Sequence, residues 1–351
     1  MEKAKRVVIH SAGGYDKLKI EVYICDAPKD YDVQIDVDSS GINYADVCVR
    51  WGIYESAKKY VGWPITPGFE VSGVVKNVGK KVTSFKAGDE VIGVTFFNGY
   101  SSLLNVPEHQ CFLKPKNLTF EQAACFPSVF MTAYHALFQN FILRKGSKVL
   151  VHSAAGGVGS SLVQLLKWYE CEVTGVVGRE EKREYLESLN VDHIIVKSIE
   201  DIWKRAKEIA PAGYDVILDA NGVDSIKKSY QHLRPTGKLV IYGFHTMLPR
   251  SGGVSFGRLN WPKLILNYLK TPRFNPINLT SDNKSLVAFN LSFLFEEKHL
   301  LEEAMNKLID LVKKNELSPH HITSFHYNQV DKAHEYIESG KSIGKIAIRW
   351  K

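Results

Sequence analysis

The sequence predicts a two-domain α/β fold in which a β-rich, barrel-like region precedes a doubly wound parallel sheet. The first third of the chain consists of short apolar runs broken by Gly, Pro, Asp and Asn, which is typical of closely spaced strands in a barrel or sandwich. From about Thr119 onwards, strand-like and helix-like segments alternate, which indicates βαβ units and a parallel sheet. A chain of 351 residues is also long enough to form two hydrophobic cores.

The composition is that of an ordinary globular protein, with 44% apolar and 24% charged residues. Apolar runs are shorter than the roughly 18 residues that a membrane-spanning helix needs, and the N-terminal segment lacks the apolar core of a secretory signal. We therefore expect a cytoplasmic protein. The net charge of +7 suits solubility or a small anionic ligand. The basic residues form no recognisable nucleic-acid-binding module, so nucleic acid is not an expected partner.

Cysteine usage argues against both a disulfide framework and a cysteine-rich zinc site. The five cysteines are an odd number, widely spaced, and none forms a C-x-x-C pair. Cys48, Cys125 and Cys171 lie among apolar neighbours, so we expect buried free thiols there.

The individual elements follow from the local patterns. The strand-like runs of the first third are RVVIH, KIEVYIC, YDVQIDVDSSGIN, VSGVVKNVG, DEVIGVTF and SSLLNVP. The segment TFEQAACFPSVFMTAYHALF is helical in pattern, and Thr119 followed by Gln122 is the signature of a helix N-terminus. The strands KVLVH, EVTGVV, HIIV and YDVILDA then alternate with helical patterns, and KLVIYGF adds a strand. The chain closes with the helices EKHLLEEAMNKLIDLVKKNEL and QVDKAHEYIESG and the strand GKIAIRW.

Residues 248–284 form a loop-rich segment with six basic residues and one acidic residue. An ordinary covering loop with a solvated charged face would have this composition. A lid over a binding site, or a patch that contacts a membrane surface through the amphipathic stretch WPKLILNYLK, would have it too. The sequence leaves these alternatives open.

A glycine-rich turn, SAAGGVGSS at 153–161, joins an apolar strand to an apolar helix. In the dinucleotide fingerprint G-x-G-x-x-G, the three glycine positions are taken here by Ala154, Gly156 and Gly159. The backbone N–H groups of such a turn and of the helix that follows hold a pyrophosphate. The alternative is a tight turn without a ligand. The residues that we expect to surround the pyrophosphate are Ala155, Gly156, Gly157, Val158 and Gly159.

The end of the second strand of this unit favours NADPH as the cofactor. An NAD site usually has an acidic residue there, which accepts a hydrogen bond from the ribose 2′-hydroxyl. Gly178 occupies this position, which makes room for a 2′-phosphate, and Arg179 and Lys182 can neutralise it. The acidic pair at 180–181 argues the other way, unless it stabilises the N-terminus of the next helix. Lys197 either adds charge to this site or is an exposed lysine.

Several motifs that occur in order along the chain resemble those of the medium-chain dehydrogenase/reductase superfamily. They are GYDKLKI, GINYADVCVRWGIY, TPGFEVSGVVKNVGKKVTSFKAGDEVIG, TFEQAACFPSVFMTAYHAL, SAAGGVGSSLVQL and LRPTGKLVIYG. The resemblance extends over essentially the whole chain, and it is strongest to the quinone oxidoreductases and, within them, to the vesicle amine transport protein 1 (VAT-1) homologues. It implies a GroES-like β-barrel catalytic domain over 1–125, completed by 296–351, and a Rossmann domain over 126–295.

The resemblance also indicates the zinc-free branch of the superfamily. Zinc-dependent members bind the metal through a Cys and a His, and the matching positions hold Asn43 and Phe69, neither of which can be such a ligand. Glu70 remains as a structural carboxylate, and the histidines lack metal-binding spacing, so we expect no metal. Without a metal to stabilise an alkoxide, a quinone or an α,β-unsaturated carbonyl is the easier hydride acceptor, because it delocalises the negative charge.

The resemblance implies further site residues. It puts Asn43 and Tyr54 beside the nicotinamide and the substrate, as hydrogen-bond donors, although Asn43 could also be a turn former and Tyr54 a barrel-edge aromatic. It puts Thr132 near the cofactor, unless its hydroxyl bonds its own helix backbone. Ligands bind at the carboxyl ends of parallel strands, which adds residues after the later strands. The residues after these strands are Asn221, Tyr242, Gly243 and Phe244. The resemblance adds Phe289, Asn290 and Lys345 as cofactor candidates, although Lys345 could equally be a solvated lysine.

These observations predict an NADPH-dependent reductase of quinones or α,β-unsaturated carbonyls that transfers hydride without a metal. The resemblance further implies a homodimer formed through an edge strand near 287–292. Two alternatives stay open. One is a cofactor-binding, membrane-associated or scaffold protein with low turnover, as the resemblance to VAT-1 homologues implies. The other is an enoyl-thioester reductase.

Overall fold

The computed structural model describes residues 2–244 and 261–351, which divide into two compact units. Unit 1 comprises residues 2–131 and 292–351, so both ends of the chain belong to it. Unit 2 comprises residues 132–244 and 261–291. Residues 248–260 of the basic segment lie outside the described part of the chain.

The described residues form strands and helices that we number in chain order. The strands are β1 (Glu2–Val8), β2 (Lys19–Cys25), β3 (Asp32–Ile42), β4 (Glu70–Val78), β5 (Glu90–Val94), β6 (Leu103–Pro107), β7 (Cys111–Leu113), β8 (Lys148–Val151), β9 (Glu172–Val177), β10 (His193–Val196), β11 (Tyr214–Asp219), β12 (Leu233–Ile241), β13 (Ser285–Ala288), β14 (Ile322–His326) and β15 (Lys345–Arg349). The helices are α1 (Tyr44–Arg50), α2 (Glu55–Tyr60), α3 (Phe120–Ala124), α4 (Pro127–Tyr134), α5 (Gly157–Trp168), α6 (Arg183–Ser188), α7 (Ile202–Ile209), α8 (Ile226–Gln231), α9 (Trp261–Lys270), α10 (Pro276–Asp282), α11 (Lys298–Lys313) and α12 (Val330–Glu338).

Unit 1 is built on a seven-stranded sheet within the described residues. Its order is β14-β15-β3-β4-β5-β7, and β6 pairs with β3 as well. The last strand of the chain, β15, pairs antiparallel with β3, and Ile346 faces Ile42 in this register. One of the strands predicted for the first third, β3, therefore pairs with the C-terminal strand. This pairing places Lys345 opposite the residue that follows β3, Asn43.

Unit 2 contains a parallel sheet whose order, in the part of the chain described, is β10-β9-β8-β11-β12-β13. All neighbouring strands in it are parallel. The strand order reverses between β8 and β11, and such a switch point leaves a crevice at the carboxyl ends of the strands. The doubly wound sheet predicted from the alternating pattern is thus confirmed. Strand β13 lies at its edge.

The helix predicted to run on from Thr119 is interrupted. The predicted N-terminus is confirmed, because Thr119 Oγ1 accepts from Gln122 N at 3.2 Å and Gln122 Oε1 accepts from Thr119 N at 2.9 Å. However, α3 ends at Ala124, and α4 begins anew at Pro127. A proline has no backbone N–H to continue the first helix but fits the first position of a new one. The uniform apolar pattern concealed this break.

Candidate functional site

The glycine-rich turn has the backbone that a pyrophosphate site needs. Gly156 is the N-cap of α5, and no side chain caps it among the described residues. A side chain on Gly159 would clash with the Ser153 carbonyl and would lie 2.7 Å from Ala154 Cα, so only glycine allows α5 to approach the turn this closely. Ala155 is buried, and Gly157 and Val158 are half-buried in the first turn of the helix. Uncapped amides at a helix N-terminus fit an anionic group.

A cavity of about 250 Å³ opens beside this turn, at the carboxyl ends of β8, β9 and β11. Three predicted cofactor residues, Gly178, Lys197 and Asn221, line it together. Its other lining residues are His152, Ser153, Val176, Val177, Ile202, Trp203, Asp224 and Ser225. The crevice expected at the switch point of the sheet therefore brings these predicted residues together.

Three cations converge at the end of β9. Lys197 Cε would lie 3.5 Å from a Cβ built on Gly178, so the lysine side chain passes directly beside this glycine. Burial and the nearby charges of Arg179 and Lys197 lower the pKa of Lys182 to about 8, against the opposing effect of Glu181. Positive charges that destabilise one another favour a bound anion. The donor set thus fits a phosphate group at this position.

The neighbouring acidic residue Glu180 points to a different partner. Its carboxylate pairs with Arg183 Nε at 2.5 Å, three residues further along the same turn of chain. This pair is exposed. One of the two acidic side chains that argued for NAD is therefore paired with the first residue of α6, whereas the other, Glu181, lies close enough to Lys182 to oppose the lowering of its pKa.

Sequence reasoning missed the buried carboxylate that shapes the cavity wall. Asp219 is fully buried at the end of β11, and it accepts hydrogen bonds from Asn221 N at 2.8 Å and from the hydroxyls of Ser225 and Ser229 at 2.9 and 2.8 Å. These bonds fix the turn that carries Asn221, whose Oδ1 accepts from Ser153 Oγ at 3.0 Å. The sequence does contain a signal for this residue, because Asp219 is an acidic residue at the end of an otherwise apolar strand in YDVILDA.

His152 was also missed, although it directly precedes the glycine-rich turn. Its Nε2 lies 3.1 Å from Ser229 Oγ, and its ring packs edge-on against Trp203 with centroids 5.6 Å apart. Burial lowers the pKa of His152, so the imidazole is neutral near pH 7. Its Nδ1 is buried without a hydrogen-bond partner among the described residues, and such an atom costs free energy unless a ligand or water satisfies it.

The predicted residues after β12 and β13 lie near one another in unit 2. The rings of Tyr242 and Phe289 are nearly parallel, with centroids 6.5 Å apart. Burial and the charge of Asp219 raise the pKa of Tyr242. A Cβ on Gly243 would lie 3.2 Å from the Ala220 carbonyl, and Phe244 lies against Gly222 of the Asp219 turn. Of the remaining candidates, Thr132 is half-buried in α4 and Asn290 is exposed, and neither lines the cavity.

Unit 1 holds a second polar cluster, around a buried ion pair. Lys345 Nζ donates to Glu70 Oε1 at 2.8 Å, to Asn43 Oδ1 at 2.7 Å and to the Ile42 carbonyl at 2.7 Å. The lysine side chain is 4% exposed and the glutamate side chain is 0% exposed. The alternative of a solvated lysine is therefore wrong. All three ammonium hydrogens are used within unit 1, and a direct contact of Lys345 with the cofactor stays a prediction.

The ion pair fixes the orientation of the Asn43 amide. Asn43 Nδ2 donates to Glu70 Oε1 at 2.8 Å while its oxygen accepts from Lys345, so the amide cannot be flipped without losing both bonds. The other carboxylate oxygen of Glu70 accepts from Ser128 N at 2.7 Å. Gly41 is required here, because any side chain on it would clash with the Glu70 carboxylate. Asn43 is thus held with its N–H groups as donors.

Tyr54 lies at the N-terminus of α2, beside Phe69, which directly precedes Glu70. Its ring packs edge-on against Phe69, with centroids 5.8 Å apart, and against Phe97 at 6.5 Å. The dipeptide Phe69–Glu70 therefore contacts Tyr54 with one side chain and Asn43 with the next. Both predicted catalytic residues are anchored to the same start of strand β4.

The cluster does not fit a zinc ion. Asn43 and Phe69 stand at the ligand positions, and the Lys345 ammonium already balances the Glu70 carboxylate. Within residues 2–244 and 261–351, no group of three or more His, Cys, Asp or Glu residues could hold a metal ion. The positive charge beside Glu70 is an ammonium group from the protein itself.

Comparison with known families identifies the class of protein. Residues 29–128 match the family "alcohol dehydrogenase GroES-like domain", and residues 157–274 match the family "zinc-binding dehydrogenase". The chain belongs to the medium-chain dehydrogenase/reductase family of oxidoreductases, and its GroES-like and Rossmann-like domains are those predicted from the sequence.

Individual relatives are consistent with this assignment. The synaptic vesicle membrane protein VAT-1 homolog of Danio rerio is 32% identical over 345 residues, which cover 98% of this chain and 69% of the relative. The structure of the human VAT-1 homolog-like protein matches with a TM-score of 0.83 and 28% identity, over 100% of this chain and 99% of the other. The structure of Escherichia coli quinone oxidoreductase complexed with NADPH matches with a TM-score of 0.84 and 25% identity, over 99% of this chain and 100% of the other. The structure of CurK enoyl reductase matches with a TM-score of 0.84 and 25% identity, over 99% of each chain.

We predict that Lys345→Met destabilises the protein by about 3 kcal/mol, because it leaves the Glu70 carboxylate buried and unpaired. Urea unfolding measures the effect. The double variant Lys345→Met with Glu70→Gln removes both charges and should recover most of the loss. Lys341→Met, at an exposed lysine, is the control and should leave stability unchanged. A double variant no more stable than Lys345→Met would contradict the ion-pair interpretation.

Proposed function

We propose that the protein is an NADPH-dependent reductase of quinones or α,β-unsaturated carbonyls that works without a metal. The observation that carries this proposal is the convergence of Arg179, Lys182 and Lys197 around Gly178 at the end of β9. A 2′-phosphate distinguishes NADPH from NADH, and three cations around a residue without a side chain can accept and neutralise it.

In this proposal the residues of unit 2 bind the cofactor. The uncapped amides of α5 would receive the pyrophosphate, and Asn221, held by Asp219, would contact the ribose side of the cavity. When bound, NADPH supplies a hydride to an electrophilic carbon. A buried, neutral His152 beside the glycine-rich turn adds a hydrogen-bonding atom without adding charge.

The residues of unit 1 favour a conjugated acceptor. Asn43 Nδ2 donates one hydrogen to Glu70, and its second hydrogen can donate to an oxygen on which negative charge develops. The Lys345 ammonium donates to the Asn43 oxygen and thereby polarises this amide. One amide donor is a modest stabiliser compared with a metal ion, so a substrate that spreads its charge over a conjugated system suits it best. Tyr54 would donate the proton.

An NADPH oxidation screen tests the proposal. The acceptors are ortho- and para-quinones, enones and enoyl thioesters. Turnover of quinones or enones supports the proposed reaction. Turnover of enoyl thioesters alone would support the second candidate function, an enoyl-thioester reductase, which the likeness to CurK enoyl reductase favours. A protein that binds NADPH but reduces none of these acceptors would overturn both.

We predict that NADPH binding weakens by about tenfold between about pH 7 and pH 9. The pKa of Lys182 is lowered to about 8, so its ammonium is mostly charged at the lower pH and mostly neutral at the higher one. The 2′-phosphate should bind the charged form, whereas NADH lacks this group and should show little change. Fluorescence titration with each cofactor measures the effect.

Two variants check the assignment to this lysine. Lys182→Ala should raise the KM for NADPH several-fold and leave that for NADH almost unchanged. Lys182→Arg keeps a charge at every pH, so NADPH binding should lose most of its pH dependence. The same pH dependence in all three proteins would show that another group is responsible.

We predict that Tyr54→Phe lowers kcat more than it weakens NADPH binding, because it removes the proton donor and keeps the ring contacts with Phe69 and Phe97. Steady-state kinetics and a cofactor titration on the same preparation separate the two effects. An unchanged kcat would remove Tyr54 from the proton-donor role.

The alternative of a membrane-associated protein with low turnover is favoured by helix α9. Ile265, Leu266, Tyr268 and Leu269 are each about half or more exposed on it, at 58, 49, 70 and 65%. Relatives carry the description "synaptic vesicle membrane protein". None of the described helices is long and apolar enough to cross a bilayer. Flotation with vesicles, with and without anionic lipid, distinguishes surface binding from its absence.

We also propose a homodimer through β13. This strand pairs with β12 and lies at the edge of the sheet order, so a second copy could extend the sheet there. Size-exclusion chromatography with light scattering gives the oligomeric state. A cytoplasmic location stays a prediction.

A further inference from the structure

A row of aromatic rings runs from Tyr54 to the surface of unit 1. We call it the aromatic row, and it consists of Tyr54, Phe97, Phe96, Tyr60 and Phe293. Successive ring centroids lie 6.5, 4.8, 5.5 and 6.3 Å apart. These separations are those of interacting aromatic pairs, so the row is continuous. One of its ends is the residue proposed as the proton donor.

Burial changes along the aromatic row. Phe97 is 1% exposed, and Phe69 beside it is 6% exposed, so the inner end rests on buried rings. At the outer end, Tyr60 is 42% exposed and Phe293 is 41% exposed. Adjacent large aromatic side chains left open to solvent mark a contact surface for a ligand or a partner.

A cation lies over the outer end of the row. Lys59 Nζ is 4.9 Å from the Tyr60 ring centroid and 5.7 Å from that of Phe293. Cation–π contacts hold the ammonium group near these two rings. Lys59 and its neighbour Lys58 are both exposed on α2, so this surface carries positive charge next to aromatic faces. A planar ligand with an acidic group complements both features.

We propose that the solvent-accessible rings of the aromatic row bind the conjugated body of the substrate and that Lys59 selects acceptors with an acidic substituent remote from the reacting carbonyl. This inference rests on the proposed reductase function and narrows its substrate class to aryl enones or quinones that carry a carboxylate or sulfonate. For an enone, one hydride from NADPH and one proton add across the C=C bond, which gives the saturated ketone and NADP⁺.

Two enones that differ in one group test the proposal. They are 4-phenylbut-3-en-2-one and its derivative with a carboxylate at the para position of the ring. The wild-type protein should have the lower KM for the carboxylate. Lys59→Gln should raise the KM for the carboxylate about three- to fivefold, as expected for an exposed ion pair, and should leave the KM for the parent enone unchanged. Lys59→Glu should raise it further.

Matched variants separate charge from ring contacts. Lys58→Gln removes the neighbouring charge on the same exposed face of α2 and should leave both KM values unchanged. Phe293→Ala should raise both KM values, because it removes part of the aromatic surface and keeps the ammonium. If Lys59→Gln affects the two enones alike, or affects neither, the proposal is wrong.

A binding measurement keeps this inference separate from the proposed reaction. The two saturated ketones that correspond to these enones cannot accept a hydride at carbon–carbon bonds, and calorimetry gives their affinities without turnover. If no enone is reduced while the carboxylate ketone binds wild type more tightly than Lys59→Gln, the reductase function fails and the ligand surface stands. Equal binding of both ketones to both proteins would overturn the proposal that this surface binds an acidic ligand, and the exposed rings would then be a contact for another protein.

Discussion

The hydrogen-bonded ion pair between Lys345 and Glu70 is the interaction on which the rest of unit 1 depends. Two opposite charges in a site that excludes water are stable only if each is fully paired, and here the ammonium has three acceptors and the carboxylate three donors. The pair joins the last strand of the chain to the starts of β4 and α1. Its hydrogen bonds therefore hold the start of β15 beside the end of β3 and fix the orientation of the Asn43 amide.

The two units differ in how their charged side chains are arranged, because unit 1 pairs opposite charges and unit 2 brings like charges together. In unit 1 the charges of Lys345 and Glu70 compensate one another, and Asn43, which we propose as the hydrogen-bond donor to the substrate, is a neutral amide. In unit 2 the charges of Arg179 and Lys197 at the end of β9, together with burial, lower the pKa of Lys182, which is why we propose that this cluster binds an anion. The first arrangement suits weak stabilisation of a delocalised charge, and the second suits recognition of a phosphate.

The turn after β11 shows how a buried carboxylate can act without touching a ligand. Asp219 accepts hydrogen bonds from the backbone and a hydroxyl of the turn and from the Ser229 hydroxyl of α8, and Asn221 of this turn lines the cavity. His152 lies against the same serine hydroxyl and the Trp203 ring. A polar network inside unit 2 therefore positions the cavity wall, and the predicted cofactor residue Asn221 lines the cavity at the edge of this network.

The sequence alone determined the features that depend on neighbours along the chain. The glycine spacing at 153–161, the cations after Gly178 and the alternation of strands and helices each reflect local backbone geometry or local charge, so they could be predicted. The tertiary structure decided the rest. Lys345 and Asn43 are 302 residues apart, and no pattern in either segment indicates that they meet. Only the pairing of β15 with β3 brings them together, because the register of two strands is set by the burial of whole faces and not by the residues that end up bonded.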